Sequence, residues 1–361
     1  VVGYRYYFGD CLTAETLGEL PFMPTDAFTR LLCDAGAFSG EIPLDHEVAT
    51  RVNFKQRMTN LIVVRNGFVK WWGPVEAVTP NLDGRTMTLN ARTPSWWMQH
   101  RCIEENKHYN ADSHSIFRKM WTYVTTKTDD TAGDINAALP NISVSSGLSG
   151  NTVDLPIAGS GRYFMYDLVH DWLVDDPDTG LEYREDFSGT VDNPTCVITL
   201  GSPLGTTLSG VMTEHSLTDY GEPMSFGEAV TRPHAVGAGT AVATRQNTGS
   251  ITDGFPLLDG VLDRTDISSL AALVKIAREY RRKGQPPVRT PDAEFTPTPN
   301  GLDFDYANLG DKVPFGTSTP DLLRIVASQR RVTEIAVTPP TGEEKESVAY
   351  TCNLPLESLG E

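Results

Sequence analysis

Leu61-Ile-Val-Val64, Arg65-Asn-Gly67 and Phe68-Val-Lys-Trp-Trp72 follow one another without a break. Two apolar runs rich in β-branched and aromatic side chains flank an Asn-Gly pair, and a tight two-residue hairpin turn needs positive φ at both of its central positions. Asparagine and glycine tolerate that conformation best, so the stretch predicts a β-hairpin. Downstream, Pro74 to Thr79, a turn at Asn81-Leu-Asp-Gly84 and Arg85 to Ala91 continue as a meander. Upstream, Tyr4 to Phe8, Phe28 to Leu32 and Phe38 to Leu44 are short aromatic or β-branched stretches bounded by Gly, Asp and Pro, and they read as further strands. Residues 1–95 are therefore expected to form a β domain of small-barrel type.

The alternating pattern ends at Trp96-Trp-Met98. From Asp112 to Val124, Ile116, Met120 and Val124 recur at helical spacing beside Phe117 and Trp121, with Asp112 or Ser113 as the N-cap. A Gly- and Ser-rich span from Thr125 to Gly161 reads as loops with short strands. A second helix is expected from Tyr163 to Val174, with Phe164, Leu168 and Trp172 on one face and Met165, Val169 and Leu173 adjoining. It stops at Asp175-Asp-Pro-Asp178, and Leu181 to Arg184 with Thr195 to Leu200 then predict a hairpin. Residues 96–200 thus make a mixed α+β insert. The remainder, 201–361, returns to β with one helix at about 266–282, since Ile267, Leu270, Ala271, Val274 and Ala277 line a face and Arg281-Arg-Lys-Gly284 closes it. Strands are expected at Asp303–Leu309, Leu322–Ala327, Arg331–Val337 and Val348–Leu354, and no repeat of fixed short period runs through the chain.

A chain of 361 residues exceeds what one hydrophobic core usually serves, which agrees with this three-part division. The formal charge of −17 repels a phosphate backbone, so specific nucleic-acid binding is not expected. Cys11, Cys33, Cys102, Cys196 and Cys352 are odd in number and lack metal-ligand spacing, which fits assembly in a reducing cytoplasm. Neither an apolar leader in Val1 to Asp10 nor a run of membrane-spanning length is present, so no stable membrane insertion is expected.

Motifs that would carry chemistry are weak throughout. Asp176-Pro-Asp-Thr-Gly-Leu-Glu182 has alternate carboxylates and a glycine, yet lacks the ligand set of a calcium loop and reads as a helix-stop turn. The seven histidines never pair at zinc-site spacing, there is no nucleophile-elbow motif, and Leu200-Gly-Ser-Pro-Leu-Gly205 lacks the lysine of a phosphate loop. The expectation is a protein with no catalytic, metal or cofactor site. The Trp71, Trp72, Trp96 and Trp97 cluster is assigned to packing or subunit contacts, with stacking on a sugar as the competing role. The basic Arg278, Arg281, Arg282 and Lys283 group is either a docking patch or dipole compensation at a helix end.

Tyr4-Arg-Tyr-Tyr-Phe-Gly-Asp10, Leu17-Gly-Glu-Leu-Pro-Phe22, Gly36-Ala-Phe-Ser-Gly-Glu-Ile-Pro-Leu44, Trp71-Trp-Gly-Pro-Val75, Ser95-Trp-Trp-Met-Gln-His-Arg101, Gly254-Phe-Pro-Leu-Leu258 and Leu309-Gly-Asp-Lys-Val313 occur in that order. Together they resemble the minor tail or baseplate hub proteins of actinobacterial siphophages, over most of the chain but not through residues 125–160. The resemblance implies two tail-tube-like β-barrel domains separated by an insert. It also implies a homotrimer whose six barrels meet a six-fold tube at the tail tip of the virion. Implied partners are a distal tail protein ring, other tail tip proteins and a tape measure protein. The alternative is a receptor- or cell-wall-carbohydrate-binding tail protein. In the hub reading, the negative charge either keeps DNA from sticking to the channel or serves only solubility.

Overall fold

A computed structural model describes residues 3–49, 58–103, 107–126, 141–157, 163–174, 179–209, 212–213, 217–221, 224–225, 229–246, 256–264, 270–284, 288–289, 292–295, 307–316, 329–340 and 346–353. The Asn66-Gly67 hairpin is present. Strand Thr59–Arg65 and strand Phe68–Asn81 pair antiparallel, and the turn between them has φ of 52° at Asn66 and 86° at Gly67. With β1 Tyr4–Asp10, β2 Thr16–Leu20, β3 Met23–Pro24, β4 Phe28–Leu31, β5 Ala37–Pro43 and β8 Thr86–Arg92, these two strands are β6 and β7.

Strand β7 continues through Pro74, where the sequence suggests a break. Its first half, Phe68–Pro74, pairs with β6, and its second half, Val75–Asn81, pairs with β8 after a bulge at Glu76. Gly73 makes the change of partner possible. A Cβ there would lie 1.7 Å from the Arg92 carbonyl oxygen, so only a residue without one lets the end of β8 cross so closely. Strand β6 is buried from Thr59 to Val64, because its unalternating Leu-Ile-Val-Val run is covered on both faces.

The first sheet runs β2-β1-β6-β7-β8-β5-β3. The chain is mainly β as expected, but hydrogen bonding does not close the sheet into a barrel among the described residues. Its two edge strands are nevertheless consecutive in the chain, joined by Pro21 and Phe22 alone. Phe22 is buried, 5.0 Å from Tyr6 and 5.1 Å from Phe38 between ring centroids. A covalent link and an aromatic cluster therefore span the seam. The seam lacks a ladder because β3 has two residues and Pro21 and Pro24 donate no N–H.

The second sheet runs Met212–Thr213, Lys312–Gly316, Gln329–Thr338, Ser347–Asn353, Asp292–Phe295, Leu217–Gly221. In chain order these six strands correspond to β2, β6, β7, β8, β5 and β3, and the spatial order is that of the first sheet with β1 left out. Strand directions agree as well. Met212–Thr213 lies parallel to Lys312–Gly316, as β2 lies parallel to β6 across β1, and the other neighbours are antiparallel in both sheets. Even the bulge recurs, at Thr333 in the strand that corresponds to β7. The second sheet is likewise unclosed among the described residues, with its edge strands again successive.

Strand β4 leaves the first sheet and pairs antiparallel with Glu334–Val337 of the second. One apolar core results. Phe28, Phe38 and Trp71 from the first unit pack in the same cluster as Val332, Ile335, Val337 and Tyr350 from the second.

Between the two units, helix Ser113–Thr126 begins where expected, with Asp112 Oδ1 accepting the Ser115 N–H at 3.2 Å. Its Ile116, Phe117, Met120 and Val124 pack with Met165, Val169, Leu173 and Tyr183. The next helix starts at Met165 and widens into a π-type turn over His170–Val174. Its expected face is corrected by this start: Phe164 is strand-paired with Cys102 and 44% exposed, so Met165, Leu168, Val169 and Leu173 form the buried stripe. The hairpin is Glu182–Thr190 with Asn193–Gly201, and Ile142–Val144 adds to it in parallel.

A small module lies inside the second unit: strands Arg232–Val236, Val242–Thr244 and Asp259–Asp263, with helix Leu270–Lys283 packed on Ala235 and Ala243 through Leu273 and Ala277. Leu270 and Ala271, expected on the buried face, are exposed, because the contact stripe runs through Leu273 and Ala277 with Val274 and Ile276 beside it. The expected helix start at Asp266 and Ile267, and the strands expected at 303–306 and 322–327, lie outside the described residues; Ala307–Gly310 is irregular and turn rather than strand.

Candidate functional site

Among the described residues, no group of three or more His, Cys, Asp or Glu side chains is placed to hold a metal ion. Asp176 and Asp178 lie outside the described residues, and Glu182, the last carboxylate of that loop, is buried against Arg331. No described helix is long and apolar enough to cross a membrane. All five cysteines are unbridged.

The arrangement nearest in form to a catalytic set lies on the module. His234 Nδ1 is 2.9 Å from Thr244 Oγ1, and His234 Nε2 is 3.0 Å from Asp259 Oδ1. This hydroxyl, imidazole and carboxylate row comes from neighbouring strands, with His234 directly opposite Thr244. Arg232 grips the same carboxylate at 2.5 and 2.7 Å. Hydrogen bonds from Arg232 and then His234 hold the Asp259 carboxyl well below the usual range. A carboxylate already neutralised by a guanidinium stabilises an imidazolium poorly, so the row is a cross-strand polar ladder. No local sequence motif announces it, because its members come from separate strands.

The four tryptophans fall into two kinds. Trp71 points into the shared core, fully buried, edge-on to Phe38 at 5.7 Å, and its Nε1 donates to the Thr29 carbonyl at 3.0 Å. Trp72 points to the other face, where it packs with Ile62, Val64, Val69 and Cys196 beneath the Glu182–Gly201 hairpin. Its Nε1 has no hydrogen-bond partner among the described residues. Trp96 and Trp97 are half-buried in the short 3-10 turn Pro94–Gln99, edge to face at 5.1 Å, and the Trp96 ring lies 3.9 Å from that of His100.

What the fold does build is a chain of buried charges where the hairpin meets both units. Arg331 donates two hydrogen bonds to Glu182, one to the Gly310 carbonyl at 3.1 Å and one to the Leu204 carbonyl at 3.1 Å. Glu182 also accepts the Leu204 N–H at 2.7 Å, and Asp311 accepts the Thr206 and Asn308 N–H groups, each at 2.8 Å. Gly205 and Gly310, both at φ of 89°, permit the crossing: a Cβ on Gly205 would lie 2.2 Å from the Gly310 carbonyl carbon. The loop Leu309-Gly-Asp-Lys-Val313 thus closes the joint.

Further along the hairpin, Arg30 donates to the Glu185 carbonyl at 2.8 Å and to Asp186 at 3.2 Å, and Arg184 reaches the Leu309 carbonyl at 3.0 Å. The Glu185 carboxylate accepts the Ser95 N–H at 2.6 Å. Burial pushes its pKa up to about 7, against hydrogen bonds from Thr93 and Ser95 and the charge of Arg30, which pull it down. This network positions elements; it holds no open coordination site or attacking group.

The geometry is matched by solved structures. The 43 kDa tail protein of prophage MuSo2 from Shewanella oneidensis superposes with a TM-score of 0.58 at 11% identity, covering 99% of this chain and 100% of that one. The chain has a phage tail-protein fold. A tail protein from Neisseria meningitidis MC58 is also similar, with a TM-score of 0.51 at 10% identity over 97% of this chain and 96% of that one. Neither the protein-family comparison nor the search of curated proteins finds a match.

Proposed function

We propose that this chain is a structural subunit of a phage tail, a hub that joins the tail tube to the tip complex and lines the channel for genome passage. The observation that carries the reading is the repeated strand order: each subunit contains two sheets of one topology. Three subunits then offer six equivalent units, the number a six-fold tube requires, whereas six subunits would overfill it. The ring is thus a homotrimer at the tail tip, assembled in the host cytoplasm, with a distal tail protein ring, other tip proteins and the tape measure protein as neighbours. The sequence patterns favour a siphophage of an actinobacterial host.

In this reading residues 1–95 and 201–361 are the tube-like units and 96–200 the spacer between them. The chain acts by shape and not by turnover. Trp71 and Trp72 serve packing, and Trp96 and Trp97 are the subunit-contact pair. The competing carbohydrate-binding reading rests on Trp96 and Trp97 alone, since the other two are buried. The mass of the assembled protein, measured by native mass spectrometry after gentle cross-linking, is expected at three subunits. A monomer or a six-subunit ring overturns the proposal.

A further inference from the structure

Apart from β1, the two units differ at a further place where their common topology demands agreement. In the second unit, the strand Gln329–Thr338 is flanked on both sides beyond its bulge: Glu334–Val337 pairs with Ser347–Thr351 on one edge and with β4 on the other. In the first unit, the equivalent stretch of β7, Val75–Asn81, pairs with β8 alone, and its second edge has no strand among the described residues. Glu76, Ala77, Thr79, Pro80 and Asn81 are accordingly exposed.

The strand that fills this position in the second unit comes from a defined location. β4 belongs to the excursion of the first unit between β3 and β5. The matching excursion of the second unit runs between Leu217–Gly221 and Asp292–Phe295. It opens with a two-stranded stem, Met224–Ser225 against Val288–Arg289, that carries the small α/β module. Like β4, the stem begins a few residues after the edge strand. Among the described residues it pairs with neither main sheet.

We infer that the stem of one subunit adds as strands to the free Val75–Asn81 edge of β7 in the next copy of this chain, repeating between subunits the β4 contact made within each subunit. The inference rests on the proposed ring, since only alternating units around a circle bring the second unit of one copy against the first unit of the next. An unpaired row of backbone N–H and C=O groups is a standing template for such addition. Pro80 contributes no N–H, which restricts the register in which a strand can join. Exposed Val242 and Val261 add apolar surface on the module that the stem carries.

Photo-crosslinking on the full assembled chain tests this. Thr79→p-benzoylphenylalanine is prepared, mixed after unfolding with an isotopically heavy copy, reassembled and irradiated. The expected product is a mixed-isotope crosslink from residue 79 to peptides between Gly221 and Asp292 of a different copy, as the dominant species. The same probe at Leu82, beyond the end of β7, is expected to give that product at least several-fold less. A trimer whose residue 79 crosslinks only within its own chain, or to other segments, or to nothing, overturns the strand-addition proposal and leaves the ring intact. A monomer by mass overturns both.

Discussion

The first and second sheets share an order of strands but are held by different forces. The first is complete, and its interior strand β6 is apolar on both faces from Leu61 to Val64, so the core and the covering hairpin grip it through Leu61, Ile62, Val63 and Val64. The second has no counterpart of β1 among the described residues and, beside its share of the apolar core, it buries charge: Arg330, Arg331 and Asp311 are all almost inaccessible. It also borrows β4 from its neighbour. The lesson is that one topology tolerates a missing strand when polar bonds and a donated strand replace the apolar contacts that the missing strand would have made.

The strongest way to break this comparison is to remove the charge at the joint. Arg331→Met strands the Glu182 carboxylate in a site closed to water, along with the Gly310 and Leu204 carbonyls that Arg331 serves. Taking one partner from a buried ion pair costs about 3–5 kcal/mol, and replacing both with apolar groups costs much less. Arg331→Met is therefore expected to lower unfolding stability by about that amount, and Glu182→Leu with Arg331→Met to recover most of it. A loss below about 1 kcal/mol in the single variant would show that the pair is hydrated and the second sheet held as the first is.

The pH dependence sharpens the same contrast, because Glu185 ties the hairpin to Ser95 at the end of the first unit. The folded state raises its pKa from 4.5 to about 7, so it favours the protonated form. Below pH 4.5 both states carry the proton and nothing changes. Between 4.5 and 7 the unfolded chain has released it and the folded chain has not, so stability falls as pH rises, and above 7 it is flat again. The shift corresponds to about 3 kcal/mol across that window. Glu185→Gln should flatten this part of the stability profile, measured by denaturant titration from pH 4 to 8. A profile equally steep in the variant assigns the dependence to another group.

Much of the first unit was legible in the sequence because its turn chemistry is local. Asn66-Gly67 specifies its hairpin, and the Asn81–Gly84 turn specifies the next. The second unit was not, since strands as short as Met212–Thr213 carry no periodicity, and the order of strands in a sheet leaves no mark on side-chain spacing. That is why the chain shows no sequence repeat while its two sheets repeat in topology. The joint was equally hidden: Glu182 and Arg331 are 149 positions apart. Gly205 and Gly310 sit inside local sequence motifs, but only the crossing itself shows why each must be glycine.

The smallest expected effect separates the two faces of the first sheet. Adjacent residues on a strand point to opposite sides, so Trp71 and Trp72 test the shared core and the hairpin cover within one strand. Trp71 spends its Nε1–H on the Thr29 carbonyl at 3.0 Å, at the strand that joins the two units. Trp71→Phe loses that bond and leaves a gap, for an expected cost of about 2–3 kcal/mol. Trp72 buries an Nε1–H that has no partner among the described residues, so Trp72→Phe removes an unsatisfied donor along with some packing. The two terms oppose each other, and the net loss should stay below about 1 kcal/mol. Thermal unfolding of the two variants side by side decides the point. Equal losses would mean that Trp72 has found a partner or a water, and that the face under the hairpin is as tightly specified as the core shared by the two units.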